Sequence, residues 1–296
     1  MSLVKSYPVG NGDMFFINHG SDNFSIIDCC LSEDNAEQIL SELKWLSSSK
    51  GITRFLSTHP DQDHIQGLVE LDEELGLLNF YCVKNSATKE DVTDDFARYV
   101  ELRDSDKAFY VYQGCSRRWM NKASDERGSA GISFLWPDTS NQAFLDAMDE
   151  AKNGNSPNNI SPIFTYTVKD GVRMMWMGDL ETDFMESIED EIEFPKVDIL
   201  FAPHHGRDSG KVPESILQDL DPGIIIIGEA ASKDLNYYAG YNTITQKSAG
   251  DITFDCGDLV DIYVSNSNYS VDFLDSNGLE DKYENYIGSY EVGASV

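Results

Sequence analysis

Ser57-Thr58-His59-Pro60-Asp61-Gln62-Asp63-His64 sets two imidazoles and two carboxylates side by side, directly behind the strand-like Phe55-Leu56. Side chains this costly to crowd together are rarely crowded without a cation between them. In a turn that follows a strand, alternate side chains can enter one pocket. His59 and Asp61 can then hold one ion, and Asp63 and His64 a second. The competing reading is a solvated turn with an incidental histidine. The density of the pattern and its strand-turn-helix setting favour metal. The chain has five histidines, and two more of them form the pair in Phe201-Ala202-Pro203-His204-His205-Gly206.

Outward from this stretch, apolar runs alternate with helical patterns, which predicts an α/β fold. Strands are expected at 24–27, 54–58, 173–177 and 197–202. They end at Asp28, His59, Asp179 and His204 or His205 respectively. Sites in α/β sheets lie beyond the carboxyl ends of strands, so residues more than a hundred positions apart can converge on one cleft. Helices are expected after Ser32, over 65–75, over about 88–102 and after Ser140. Residues 84–131 read as a helix plus a long excursion that carries Arg117, Arg118 and Trp119. Residues 237–296 read as an acidic, β-rich end within a single domain spanning 1–296.

Twenty-two basic residues against 52 acidic ones give a net charge of −30. Such a surface repels long nucleic acid and anionic membrane, so an anionic substrate must be held by local positive charge. No apolar run approaches a membrane span, and the first residues lack the apolar core of a secretory signal. Five cysteines without a Cys-x-x-Cys spacing predict reduced thiols in a cytoplasmic protein. Arg117, Arg118 and Lys122 form the one dense basic cluster, with Trp119 among them. It is a candidate for gripping a phosphate or stacking a base, although plain charge decoration of a loop is preferred. His19, in a polar turn, is read as a surface residue without a catalytic part.

The ordered motifs resemble those of the metallo-β-lactamase-fold hydrolases. The resemblance is closest to the ComEC-type competence-protein hydrolase domain and its stand-alone relatives. Val9-Gly10-Asn11-Gly12-Asp13 followed by Ile26-Ile27-Asp28 resembles the family's opening hairpin and first acidic motif. Thr58 to His64 resembles its metal loop, and Asn158-Asn159-Ile160-Ser161 a later motif. Gly178-Asp179-Leu180-Glu181 resembles the bridging-aspartate motif, Pro203-His204-His205-Gly206 the late histidine motif, and residues 241–254 a closing Thr-rich hairpin.

The resemblance implies a four-layer αβ/βα sandwich and hydrolysis by a metal-activated water. Asp63, His64, Asp179 and one of His204 and His205 would hold one divalent ion. His59, Asp61, Asp179 and an amide oxygen of Asn158 or Asn159 would hold the second. Asp28 would orient the loop from behind, and the histidine that does not ligate would orient or protonate substrate. For Asp179 the plain alternative is a helix N-cap. The broader family has a histidine near Asn158, whereas none lies between His64 and His204 here. The oxygen-richer set admits manganese or iron beside zinc. The expected activity is cleavage of a small or medium anionic ester, foremost a phosphodiester. The alternatives are a nuclease acting on single strands and a non-catalytic or defence-associated binding module of the same fold.

Overall fold

The computed structural model describes residues 1–228 and 236–293. The first half of the chain builds one sheet. Its strands are β1 (Ser2–Ser6), β2 (Phe15–Asn18) and β3 (Asn23–Ile27), and a two-residue β4 (Cys29–Cys30) follows them. Helix α1 (Ala36–Ser47) leads to β5 (Ile52–Leu56). Helices α2 (Gln62–Ile65) and α3 (Leu68–Leu75) lead to β6 (Phe80–Cys82), and α4 (Asp94–Arg103) leads to β7 (Ala108–Tyr110). The second sheet takes β8 (Ile132–Trp136), β9 (Ile163–Thr167), β10 (Arg173–Trp176), β11 (Ile199–Phe201), β12 (Ile224–Ile227) and β13 (Thr243–Thr245). Helix α5 (Gln142–Lys152) precedes β9, α6 (Thr182–Ile188) joins β10 to β11, α7 (Glu214–Leu220) joins β11 to β12, and the short α8 (Gln246–Ala249) follows β13.

The chain then returns to the first sheet through β14 (Ile252–Cys256), β15 (Leu259–Val264) and β16 (Asn285–Glu291). Strand β14 pairs antiparallel with β1, so the two ends of the chain share one sheet. Among the described residues the first sheet runs β16-β15-β14-β1-β2-β3-β5-β6-β7 and the second β13-β12-β11-β10-β9-β8.

The strand period of two sorts the side chains into layers. In β2, Phe16 lies with Phe24, Phe55 and Phe80 against Ile39 and Leu43 of α1, Leu71 of α3 and Tyr99 of α4. Its neighbours Phe15 and Ile17 point the other way, into the space between the sheets. There Trp176 stacks on Phe164 at 5.4 Å and on Phe201 at 4.4 Å, with Phe15 edge-on to Phe201. Helices α5, α6 and α7 cover the second sheet through Phe144, Met185 and Leu217. The result is the four-layer α/β sandwich of the metallo-β-lactamase type. No helix among the described residues is long and apolar enough to cross a membrane. All five cysteines are free and buried.

Several local expectations change. The helix expected over 65–75 is two helices, α2 and α3, separated by Gly67 at φ 82°. The Asp95 carboxylate on α4 accepts from the amides of Gly67 and Val69, so a distant residue caps α3. Asn141 rather than Ser140 caps α5, and α4 starts only behind Thr93, which accepts from the Phe96 amide. The excursion at 84–131 adds the edge strand β7. The stretch 241–254 is not a hairpin: β13 pairs with β12 and β14 with β1, so the chain crosses between sheets there. Residues 237–293 hold β13, α8 and β14 to β16, and 294–296 lie outside the described residues.

Candidate metal centre

Strand β5 delivers the first part of the site. Behind it Asp28, in the left-handed region at φ 54°, turns its carboxylate under the loop. Its Oδ1 accepts from the Thr58 amide (2.8 Å), and its Oδ2 accepts from Thr58 Oγ1 (2.6 Å) and His64 Nδ1 (2.9 Å). Because Thr58 Oγ1 has given its proton to Asp28, it can only accept from His59 Nδ1, at 3.0 Å. Both imidazoles are therefore turned with Nδ1–H toward the protein and Nε2 inward.

Strand β10 delivers Asp179. Gly178 adopts φ 52°, and a Cβ there would lie 2.6 Å from Ser161 Oγ and 2.9 Å from Thr58 Cβ, so a side chain has no room. The Asp179 amide donates to Ser161 Oγ at 3.2 Å, and the same hydroxyl lies 3.3 Å from His59 Nδ1. Asp179 is not a helix cap: Glu181 precedes α6, and its amide donates to Asn159 Oδ1.

Strand β11 delivers the histidine pair. His204, His205 and Gly206 stand at φ 52°, 57° and 83°, a run that costs side-chain-bearing residues energy and concentrates at functional sites. The His204 amide donates to the Gly178 carbonyl, tying the two loops together. His205 Nδ1 is held by Asp13 Oδ1 at 3.1 Å, and His204 Nδ1 by Ser209 Oγ at 2.9 Å.

All four imidazoles thus anchor Nδ1 and present Nε2 to one carboxylate. The distances to Asp179 are 3.2 Å from His64, 3.4 Å from His205, 3.8 Å from His204 and 3.9 Å from His59. His59, His64, Asp179 and His205 are at most 3% exposed. Their inward atoms, three Nε2 and Asp179 Oδ1, make no directed hydrogen bond even where the distance would allow one. Buried polar atoms are almost always paired, so four orphans converging from three loops fit a cation. Asp13, His64, Asp179 and His205 each bring a ligand atom within 4.8 Å of the others. Asp63 stands beside this group, its Oδ2 3.7 Å from His205 Nε2.

Charge follows the geometry. Burial, with the nearby His64, pushes the His59 imidazole down to about 4. Burial also works against the charged forms of His64 and His205. Asp179 and Asp28 outweigh it for His64, and Asp13 and Asp179 for His205, so both imidazoles sit well above the ordinary range. Burial lowers His204. For Asp179 burial works upward, but His64 and His205 hold its carboxyl well below the usual carboxylate range. For Asp63 burial again works upward and is outweighed by His205 and His64, leaving it at about 2. Burial raises Asp28 against the pull of His64 and Thr58. The proton between Asp28 and His64 belongs on the imidazole, because two donations from Thr58 favour the carboxylate.

The other expected residues divide. Asp61 reaches His59 Nε2 only at 4.0 Å, and its Oδ1 is held by Lys89 Nζ at 2.9 Å. Asn158 is buried with an unpartnered Oδ1. Asn159 is committed at both ends of its amide to Glu181, so it has no free oxygen for an ion. Arg117, Arg118 and Trp119 do not approach the centre. Arg117 lies over Tyr81 and Phe109 and beside Asn79, and the Trp119 carbonyl accepts from the buried Arg54, at the end of the sheet opposite His59. His19 is buried rather than exposed, bonded to Ser25 Oγ at 2.8 Å.

Sequence reading missed Asp13 as a member of the site. The signal was the tight Gly10-Asn11-Gly12-Asp13 turn. A Cβ at Gly12 would collide with the Asp63 carbonyl and the Cys30 sulfur, and the Asp13 amide donates to that carbonyl. Replacing Asp13 with asparagine is expected to weaken metal binding about 10- to 100-fold, the usual cost of losing the carboxylate behind a ligating histidine. Competition with a chromophoric chelator measures it, and unchanged affinity would remove Asp13 from the centre.

The fold is similar to that of a solved metallo hydrolase, Igni18, from the hyperthermophilic archaeon Ignicoccus hospitalis KIN4/I. The TM-score is 0.50 at 15% identity, over 86% of this chain and 99% of that one. No protein-family model matches the chain, and no curated protein matches it either.

Proposed function

We propose that this chain is a metal-dependent hydrolase of a small anionic ester, foremost a phosphodiester. The observation that carries the reading is the ring of four imidazole Nε2 atoms around Asp179, three of them buried and unpaired. The metallo hydrolase nature of the fold neighbour supports it. The motif order supports kinship with ComEC-type hydrolase domains, and the mixed nitrogen and oxygen donors suit zinc, with manganese or iron as alternatives.

A bound divalent cation would supply water with a pKa lowered toward neutrality and a polarised ester bond. The chain's own residues do the rest. Asp28, Thr58, Asp13 and Ser209 fix the imidazoles before substrate arrives. Asp63, ionised and more open to solvent than Asp179, is placed to take the proton of the attacking water. His204, partly exposed and neutral, is placed at the rim to exchange a proton with the leaving group or to touch substrate. A cavity of about 280 Å³ lies against the metal loop, lined by Pro60, Asp61, Thr88, Lys89, Ser156 and Pro157 among others. That volume suits a small molecule.

Asp63→Ala is expected to lower turnover by about 100-fold or more, the usual worth of a positioned acid or base, in a protein that stays folded. A panel of phosphodiesters with zinc, manganese and iron, assayed before and after chelation, tests the reading. Activity that survives full metal removal would overturn it. The nuclease alternative is disfavoured because the basic cluster lies at the far end of the sheet. Small-substrate cleavage is expected to change little with salt, where a nuclease would lose activity steeply.

A further inference from the structure

We infer that the Lys89 ammonium occupies the seat of a second cation, so that this centre takes one divalent ion and not two. The inference rests on the metallo-hydrolase reading above and sharpens it. A second ion would need His59, Asp61 and an amide oxygen. Asp61 is already neutralised by Lys89 Nζ at 2.9 Å, within a pair that is only 21% and 32% exposed. Lys89 is steadied by the Phe96 ring, which its ammonium overlies at 5.6 Å. Asn159 is bound to Glu181 and no histidine stands between His64 and His204, so beside His59 only the unpaired Asn158 Oδ1, a neutral donor, is left for a second ion. An ion drawn to Asp61 would meet a like charge already bonded to that carboxylate.

The remaining donors point to one ion. The four unpaired atoms of the centre are His59 Nε2, His64 Nε2, His205 Nε2 and Asp179 Oδ1, three nitrogens and one oxygen from which a single cation would draw its ligands. His59, which would serve the second ion in a two-ion arrangement, lies as close to Asp179 (3.9 Å) as to Asp61 (4.0 Å). Lys89 is then a positioning residue. It holds Asp61 and keeps a positive charge beside the ion, at the wall of the cavity that would receive the anion.

The test is metal stoichiometry on the full chain, by elemental analysis and calorimetric titration with zinc and, separately, manganese. The wild type is expected to hold one ion per chain. Lys89→Gln is expected to tighten a second ion by at least about tenfold, as removal of an adjacent like charge would. Lys89→Arg is expected to keep the count at one. Two ions of similar affinity in the wild type, or a Lys89→Gln variant that still takes one with no second event, would overturn the inference and leave the hydrolase reading standing. No bound ion at all would overturn both. The wild-type count stands whether or not a variant folds.

Discussion

Asp179→Asn is expected to lower metal affinity and turnover together, by on the order of 10³-fold, as loss of several kcal/mol of charge stabilisation would. Asp179 is the one side chain that every imidazole of the centre faces, at 3.2 to 3.9 Å. Asparagine keeps the shape and one oxygen. The turn at Gly178 and the amide bond to Ser161 should therefore persist, and circular dichroism should report a native fold. What disappears is the charge that offsets burial of the histidines. In the metal-free protein Asp179 with Asp28 holds His64 high, and Asp13 with Asp179 holds His205 high, so the variant should bind both protons less tightly. Chelator competition and kcat/KM measured side by side distinguish this from a local role. A variant that binds metal normally but turns over slowly would make Asp179 a contact of the reaction alone. One that does neither differently from wild type would remove it from the site.

What sequence could and could not show follows from how far each signal reaches along the chain. Asp28, His59, Asp179 and His204 were visible because each closes an apolar strand-like run, and parallel strands in an α/β sheet bring such ends to one edge. That logic places residues but does not orient them. The choice between His204 and His205 depends on a backbone run at positive φ and on Asp13, 192 positions away, which turns His205 inward while leaving His204 at the rim. Asp13 itself sits in a turn whose glycines advertise only tightness. Its partner is known once the hairpin lies on the metal loop.

Long-range contacts likewise explain the errors. Gly67 is the one local sign of the break in 65–75, and the Asp95 carboxylate that caps α3 comes from another helix. Asn158 and Asn159 look equivalent in sequence, but Glu181 takes up one amide and leaves the other's oxygen unpaired. Arg117, Arg118 and Trp119 read as a candidate clamp ranked below plain loop decoration, and Arg117 and Trp119 pack against Tyr81 and Arg54. Pairings across more than twenty residues depend on tertiary packing, which charge and periodicity do not encode.

Metal uptake should release protons, and its affinity should therefore rise with pH. A ligating imidazole must offer a free Nε2, whereas metal-free His64 and His205 hold their protons well above the ordinary range. His59, pushed down to about 4, and His204, also lowered, are already neutral and release none. Near neutral pH the expected release is about two protons per chain, so apparent affinity should climb up to about 100-fold per pH unit until His64 and His205 titrate. Stability moves in opposite directions with and without metal. A histidine whose folded pKa is raised stabilises the metal-free fold fully below its unfolded value of about 6.5, and that contribution fades as pH rises through the folded value. The chelated protein should thus lose stability at alkaline pH, while the metal-loaded protein gains relative to it. The difference in Tm between the two forms, followed from about pH 6 to 9, should widen steadily upward. A difference that stays flat would mean that His64 and His205 are neutral before the ion arrives, and the carboxylates of Asp28, Asp13 and Asp179 would then not hold protons in place of a cation.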